Sequence, residues 1–180
     1  MTTPAAPFAQ KIATAAYRPG PYRLPDGGTL DSCFDPYRLA GDPQLLTETA
    51  AALADLLPEG AEALAGPALA GIPLVTAVSL LTGLPAAFLH PAPKGHGTWQ
   101  QIEGADLGGR RTVLLDDTAR SGTSLLRSAR LLRSARLLRI GGALLGTAVC
   151  VLDRDAGATT LLADHHLILR TLIRDLDGTR

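Results

Sequence analysis

Val113-Leu114-Leu115-Asp116-Asp117-Thr118-Ala119-Arg120-Ser121-Gly122-Thr123-Ser124 is the stretch that decides how this chain folds. Three apolar residues run into two adjacent carboxylates, then a turn of small residues, then an amphipathic stretch from Thr123. That is the order of a buried strand, a loop and a helix start. At the end of a parallel strand such a loop aims backbone N–H groups and a helix N-terminus at one point, which suits a phosphate. The acidic pair suits what the same phosphate carries: sugar hydroxyls, or the water shell of Mg²⁺. A phosphorylated ribose with a metal is therefore the first ligand to propose. For an isolated acidic pair, a simple turn cap is the better reading, so the rest of the chain has to decide.

Working outward, strands and helices alternate. Asp42-Pro43 reads as an N-cap followed by Pro at the first helical position, opening a helix through Leu45, Leu46, Thr49, Leu53, Leu56 and Leu57 that stops before Pro58. Helices are also expected over Phe8–Ala16, over Ile72–Leu81 with Gly83 as terminator, and from Thr123 onward. Strands are expected at Thr29–Phe34, Ala61–Ala65, Pro85–Leu89, Arg111–Leu115, Ala143–Leu152 and Leu167–Leu172, with Pro19–Gly28 as a loop. The class is α/β: a mainly parallel central sheet with helices on both faces. A single domain over residues 1–180 is expected, with a partly frayed N-terminus (1–20) and a mobile loop at 90–104 that has no apolar period.

Composition narrows the function. With 180 residues there is enough chain for one full core, and 46% apolar residues with seven aromatics make that core aliphatic. Seventeen basic residues balance seventeen acidic ones, which argues against a nucleic-acid or membrane surface as the main partner. Of the basic residues only Lys11 and Lys94 are lysines, so a flexible point charge at 94 stands out against the planar forks of Arg. Cys33 and Cys150 lack metal-ligand spacing and read as reduced core thiols. No apolar stretch reaches membrane-spanning length and no leader is visible, so a cytoplasmic protein is expected.

One helix is anomalous. Arg127-Ser-Ala-Arg-Leu-Leu132 is repeated as Arg133-Ser-Ala-Arg-Leu-Leu138. Six residues advance a helix by about 600°, so the Leu pairs at 125/126, 131/132 and 137/138 point three ways and part of that surface should stay exposed, bend away or be covered. A six-residue duplication explains the pattern more simply than function does. The arginines at 127, 130, 133, 136 and 139 lie on every face without interleaved aromatics, as on a solvated helix. The neighbours His165 and His166 are read as lying in a strand and pointing to opposite faces, which argues against a shared metal.

Four motifs in order give a resemblance. The chain resembles the type I phosphoribosyltransferases, and among them the orotate-specific family. Leu114-Leu-Asp-Asp-Thr-Ala-Arg-Ser-Gly-Thr-Ser124 is similar to the signature for 5-phosphoribosyl 1-diphosphate, and Gly66-Pro-Ala-Leu-Ala-Gly-Ile-Pro73 to the loop that meets the diphosphate. Lys94-Gly-His-Gly97 with Ile102-Glu-Gly104 is similar to the mobile catalytic loop, and Leu152-Asp-Arg154 to the segment carrying the base-binding Arg. The resemblance runs from about Tyr22 to Leu176, and the family's spacing between the phosphate loop and the Asp-Arg pair is shorter by about one repeat unit. It implies the family's fold with a small N-terminal hood, transfer of ribose 5-phosphate to a pyrimidine base, Mg²⁺ held through substrate and water near Asp116 and Asp117 with no direct protein ligand, and a homodimer whose lid serves the neighbouring site. It also implies Lys94, His96 and Asp117 as catalytic. Asp116, Asp117, Thr118, Ala119, Arg120, Ser121, Gly122, Thr123, Ser124, Arg154 and Phe34 are implied to bind substrate. Arg154 can take a planar ligand's carboxylate with its bidentate fork, or pair with Asp153 or Asp155 instead.

The departures fall where the family is basic. Pro25, Ala70, His90 and Pro91 stand at such places, Arg120 replaces a small hydroxyl residue, and Ser32-Cys33-Phe34 replaces a more aromatic base-facing segment. Hydrogen bonds to charged groups are worth roughly 1.5–3 kcal/mol each, so several such losses would weaken a diphosphate site by orders of magnitude unless Arg120, Arg110 or His90 replaces them. A transferase is the first reading. A diverged paralogue that senses a ribose phosphate or nucleotide is the alternative, and a purely structural or dimerisation module the third.

Overall fold

The structure, a computed structural model, describes residues 6–23, 27–93, 97–137 and 143–174. Its elements in chain order are α1 (Ala6–Ala16), β1 (Tyr17–Arg23), β2 (Thr29–Phe34), α2 (Pro36–Gly41), α3 (Pro43–Ala54), β3 (Ala63–Pro67) and α4 (Gly71–Thr82), followed by β4 (Ala86–Leu89), β5 (Ile102–Gly104), β6 (Arg111–Ala119), α5 (Thr123–Leu137), β7 (Leu144–Asp153), α6 (Ala158–Asp164) and β8 (Ile168–Arg174). Six strands form one sheet in the order β5-β4-β3-β6-β7-β8, parallel throughout except for β5 at the edge. β1 and β2 form a separate antiparallel pair that, with α1 and α2, makes the hood.

Alternation along the central strands builds two cores, one per face. Val113, Leu115, Val149 and Val151 face Leu45, Leu53, Leu74 and Val78 of α3 and α4. Leu114, Ala148 and Cys150 face Leu125, Leu132 and Leu162 of α5 and α6. Helices thus cover both faces, as the sequence led one to expect.

Local rules explain most boundaries. Asp42 Oδ1 accepts from the N–H groups of Gln44 and Leu45 at 3.0 and 3.1 Å, and Gly83 ends α4 in the left-handed region at φ 74°. Asp35 caps α2 in the same way ahead of Pro36, a helix the sequence reading passed over although the signal is the same.

Several expectations are corrected. The loop expected over Pro19–Gly28 begins as strand β1: prolines are tolerated there because the pair is a two-stranded edge whose register slips between Pro19 and Tyr22. The helix expected over Phe8–Ala16 is present as α1, two residues longer at its start (Ala6–Ala16). Ile102–Gly104, where no strand was expected, form β5, and the His90 N–H donates to Gln101 O at 2.9 Å. His165 and His166 lie at the end of α6 rather than in a strand, His166 at φ 57°. The repeat helix α5 buries one stripe after all: Leu125, Leu126, Ser128, Ala129, Leu132 and Ala135 fall within half a turn of one another, and the alanines of the repeat fill the gap between its leucines. Leu131, at the margin, is half-buried, and Arg133 reaches back to donate to His165 O at 3.1 Å.

Candidate active site

Strand order places the site. From β3 the chain moves outward to β4 on one side, whereas from β6 it moves outward through β7 to β8 on the other. In an open parallel sheet the crevice outside the carboxyl ends of such a divergent pair is where ligands bind. β3 and β6 are direct neighbours, Ala63 beside Thr112 and Ala65 beside Leu114, so their two C-terminal loops stand side by side.

The acids sit within β6 rather than after it, on its last turn of pleat. Asp116 is 6% exposed, and its Oδ1 accepts the Asp117 N–H at 3.0 Å. Burial, then the adjacent Asp117 charge, pushes its carboxyl well above the ordinary carboxylate range. Asp117 is half-buried, and one of its oxygens accepts from the Thr118 hydroxyl at 3.2 Å. The thiol of Cys150, register partner of Asp116, is pushed up by burial and then by both acids, which leaves it an inert thiol.

The turn that follows is shaped for close approach. Gly122 adopts φ 78°, and a Cβ there would lie 3.1 Å from Ala158 Cα, so the turn rests directly on α6 and no side chain fits beneath it. Among the described residues, no group accepts from the N–H of Arg120, Ser121 or Gly122. The Ser121 and Thr123 hydroxyls lie 2.9 Å apart at the mouth of α5, and Ser121, Thr123 and Ser124 are exposed. Amides with no protein acceptor among the described residues, a helix N-terminus and hydroxyls meet on one exposed turn, an arrangement able to take an anion.

The opposing loop joins β3 to α4. A Cβ on Gly71 would lie 3.0 Å from Leu115 O and 3.4 Å from Asp116 Oδ1, so only glycine lets the first turn of α4 lie against the acids. Ala68 N donates to Leu89 O at 2.7 Å, fixing the loop to β4, and Ala70 at the cap position makes no side-chain capping bond.

The remaining residues singled out from the sequence divide. Arg154 follows β7, and its N–H donates to Ala119 O at 2.8 Å, which ties it to the anion turn. Its guanidinium carbon stands 5.8 Å from the centre of the Tyr17 ring, which meets the Phe34 ring edge-on at 5.8 Å and 74°. Phe34 and Arg154 are thus joined through Tyr17, on the hood side of the crevice. Lys94, His96 and Pro25 lie outside the described residues. His90, at one of the family's basic positions, turns to Glu103 instead, Nε2 to Oε2 3.2 Å, and Thr98 also bonds that carboxylate. Pro91, at another, is exposed.

Sequence reading missed three residues here. Tyr17 was hidden by the Pro-Gly-Pro that follows it. Asp153, 1% exposed, accepts from Asp155 N–H at 3.0 Å and Thr159 Oγ1 at 3.1 Å and so shapes the turn that presents Arg154; the signal was an Asp in the last position of an apolar strand. Arg127 lines a small pocket of ≈ 60 Å³ together with Pro67, Ala68 and His90, beside the loop that lacks the family's cation. Among the described residues no cluster of three or more His, Cys, Asp or Glu side chains is placed to cage a metal, and no helix is long and apolar enough to cross a membrane.

The comparisons agree with this geometry. No family model matches the chain. An orotate phosphoribosyltransferase of a Nocardioides species is 35% identical over 163 residues, 89% of this chain and 88% of that protein. The orotate phosphoribosyltransferase of Halobacterium salinarum is 34% identical over 92% of this chain and 90% of its own length. Among solved structures, orotate phosphoribosyltransferase from Aeropyrum pernix superposes with a TM-score of 0.78 at 31% identity, covering 93% of each chain. At 34–35% identity over about nine-tenths of its length, this chain belongs to the orotate phosphoribosyltransferase family.

Proposed function

We propose that the chain transfers ribose 5-phosphate from 5-phosphoribosyl 1-diphosphate to orotate and releases diphosphate, as a pentosyltransferase of pyrimidine biosynthesis acting in the cytoplasm. The observation that carries this reading is the crevice between β3 and β6: buried and half-buried acids between an anion turn and the first turn of α4, with Arg154 at one end.

Displacement at the anomeric carbon needs no protein nucleophile, because the ring oxygen stabilises an oxocarbenium-like transition state. The protein has to align the reactants, meet the charge that grows on the leaving group and exclude water. The amides of Arg120 to Thr123 and the hydroxyls of Ser121, Thr123 and Ser124 hold the 5-phosphate. Asp116 and Asp117 take the ribose hydroxyls, the part-exposed Asp117 facing the reacting carbon. Arg154 grips the carboxylate of the base with its fork, and Phe34 backs the base pocket. Lys94 and His96 close over the diphosphate, contributed by the second subunit of a homodimer.

Mg²⁺ fits this donor set as a substrate-borne ion: among the described residues Asp116 and Asp117 have no third carboxylate, His or Cys clustered with them, which would suit a hydrated metal carried by the substrate rather than a protein cage. When bound, it supplies positive charge to the diphosphate. Arg127, beside the β3–α4 loop, supplies cationic charge where Ala70 does not.

Incubation with 5-phosphoribosyl 1-diphosphate, Mg²⁺ and orotate should consume orotate absorbance with one diphosphate released per orotate. Absence of turnover, together with thermal stabilisation by a nucleoside monophosphate alone, would replace this reading with that of a sensor.

A further inference from the structure

Two turns at the carboxyl ends of the sheet bear on each other at two points. Ala119 and Gly122 flank the anion turn, while Arg154 and Ala158 belong to the connection between β7 and α6. The Arg154 N–H donates to Ala119 O at 2.8 Å, and a Cβ on Gly122 would lie 3.1 Å from Ala158 Cα and 3.3 Å from Ala158 O. The β7–α6 turn thus carries Arg154 at one end and forms the floor of the anion turn at the other. Asp153 spans it. This carboxylate is 1% exposed and has one oxygen on each arm: Oδ1 accepts the Asp155 N–H at 3.0 Å, next to Arg154, and Oδ2 accepts the Thr159 hydroxyl at 3.1 Å, next to Ala158. Gly157, at φ 94°, supplies no side-chain cap to α6, and the Asp153 bridge joins strand to helix in its place.

We propose that Asp153 is a positioning residue that couples the two ends of the crevice: by bridging Asp155 and Thr159 it holds the Arg154 main chain and the floor under Gly122 as one rigid unit. Hydrogen bonds to an ionised acceptor are stronger than neutral ones, and burial strengthens them further. A ligand that reaches both ends therefore meets a turn already ordered, which lowers the cost of holding its phosphate and its base carboxylate together. The inference rests on the transferase reading, which puts the phosphate on the anion turn and the base at Arg154.

The test uses the full chain with Thr159→Val, Thr159→Ser and Asp153→Ala, with binding measured by calorimetry. Ribose 5-phosphate reports the phosphate end. The ratio of orotidine 5′-monophosphate to uridine 5′-monophosphate affinity reports the Arg154 end, because the two ligands differ by the carboxylate. Thr159 is exposed, and valine removes its hydroxyl at nearly constant shape, which guards against simple unfolding. Thr159→Val should weaken ribose 5-phosphate about three- to tenfold and lower the orotidine-to-uridine ratio by a similar factor, one lost hydrogen bond to a charged group being divided between the two ends. Thr159→Ser keeps the hydroxyl and should stay within about twofold of the parent. Asp153→Ala should exceed Thr159→Val at both ends; if it does not fold, the Thr159 pair decides. A Thr159→Val chain that melts lower with unchanged binding, or that loses affinity at one end alone, would overturn the proposal. So would a Thr159→Ser chain as weak as Thr159→Val, or a parent with no preference for orotidine monophosphate. A parent that binds orotidine monophosphate without turning over orotate refutes the transferase reading alone, and the binding comparisons still decide on Asp153. A parent that binds neither ribose 5-phosphate nor orotidine monophosphate refutes both.

Discussion

Asp116→Asn should make the protein more stable and nearly inactive. Asp116 is 6% exposed, it accepts the Asp117 N–H at 3.0 Å, and among the described residues it has no cationic partner. Its carboxyl is held well above the ordinary range by burial first and by Asp117 second. The folded value lies above the unfolded one, so between the two the folded chain keeps a proton that the unfolded chain has given up. This group's contribution is therefore most favourable below about pH 4 and declines as the pH rises toward the folded value, beyond which its full cost is present. Asparagine keeps the shape and can still accept from the Asp117 N–H, but carries no charge to desolvate. Removing a poorly compensated buried charge is worth about 1–3 kcal/mol. For a chain of this size that is a rise of roughly 2–10 °C in Tm at neutral pH. Melting curves of the ligand-free parent and variant from pH 3 to pH 8 should diverge with rising pH and converge at the acid end. Turnover should fall by at least about tenfold, because a charge-assisted contact to a ribose hydroxyl is lost. A variant no more stable than the parent at pH 7, or a gap unchanged at pH 3, would refute the reasoning.

Other variants probe other parts of the crevice. Gly122→Ala meets both a left-handed φ and Ala158 at 3.1 Å, so it should cost about 1–3 kcal/mol in urea unfolding and weaken phosphate binding in calorimetry. Arg127→Ala should raise KM for 5-phosphoribosyl 1-diphosphate about three- to tenfold in steady-state assays, with KM for orotate unchanged. Lys94→Ala should abolish turnover while nucleotide binding, measured by thermal shift, stays within about twofold.

The fold was largely legible because its signals are local and repeated. Asp42-Pro43, Gly83 and the alternating Val113-Leu115 run each carry their own physical instruction, and the structure obeys them. What escaped depended on partners far along the chain. Pro19 and Pro21 look like loop residues until β2 lies beside them, since a proline is tolerated wherever its missing N–H has no neighbour to serve. The repeat in α5 seemed to scatter its leucines, but Ala129 and Ala135 complete the buried arc, and small residues give weak periodic signals. α6 follows Gly157, a cap residue with no side chain to bond its first turn, so nothing in the sequence announced it.

At the site, residue types were legible and mutual placement was not. The order of acids, small turn and helix start follows from the string of letters. That Gly71 brings the β3–α4 loop against Asp116, that His90 turns to Glu103, and that Tyr17 reaches Arg154 all follow only from strand order.

A crystal structure of the chain with 5-phosphoribosyl 1-diphosphate bound tests the account most directly. The 5-phosphate should lie within hydrogen-bond reach of the amides of Arg120 to Thr123, with the ribose hydroxyls on Asp116 and Asp117. A sugar phosphate held anywhere but the crevice between β3 and β6, or a turn closed against it, would contradict the account.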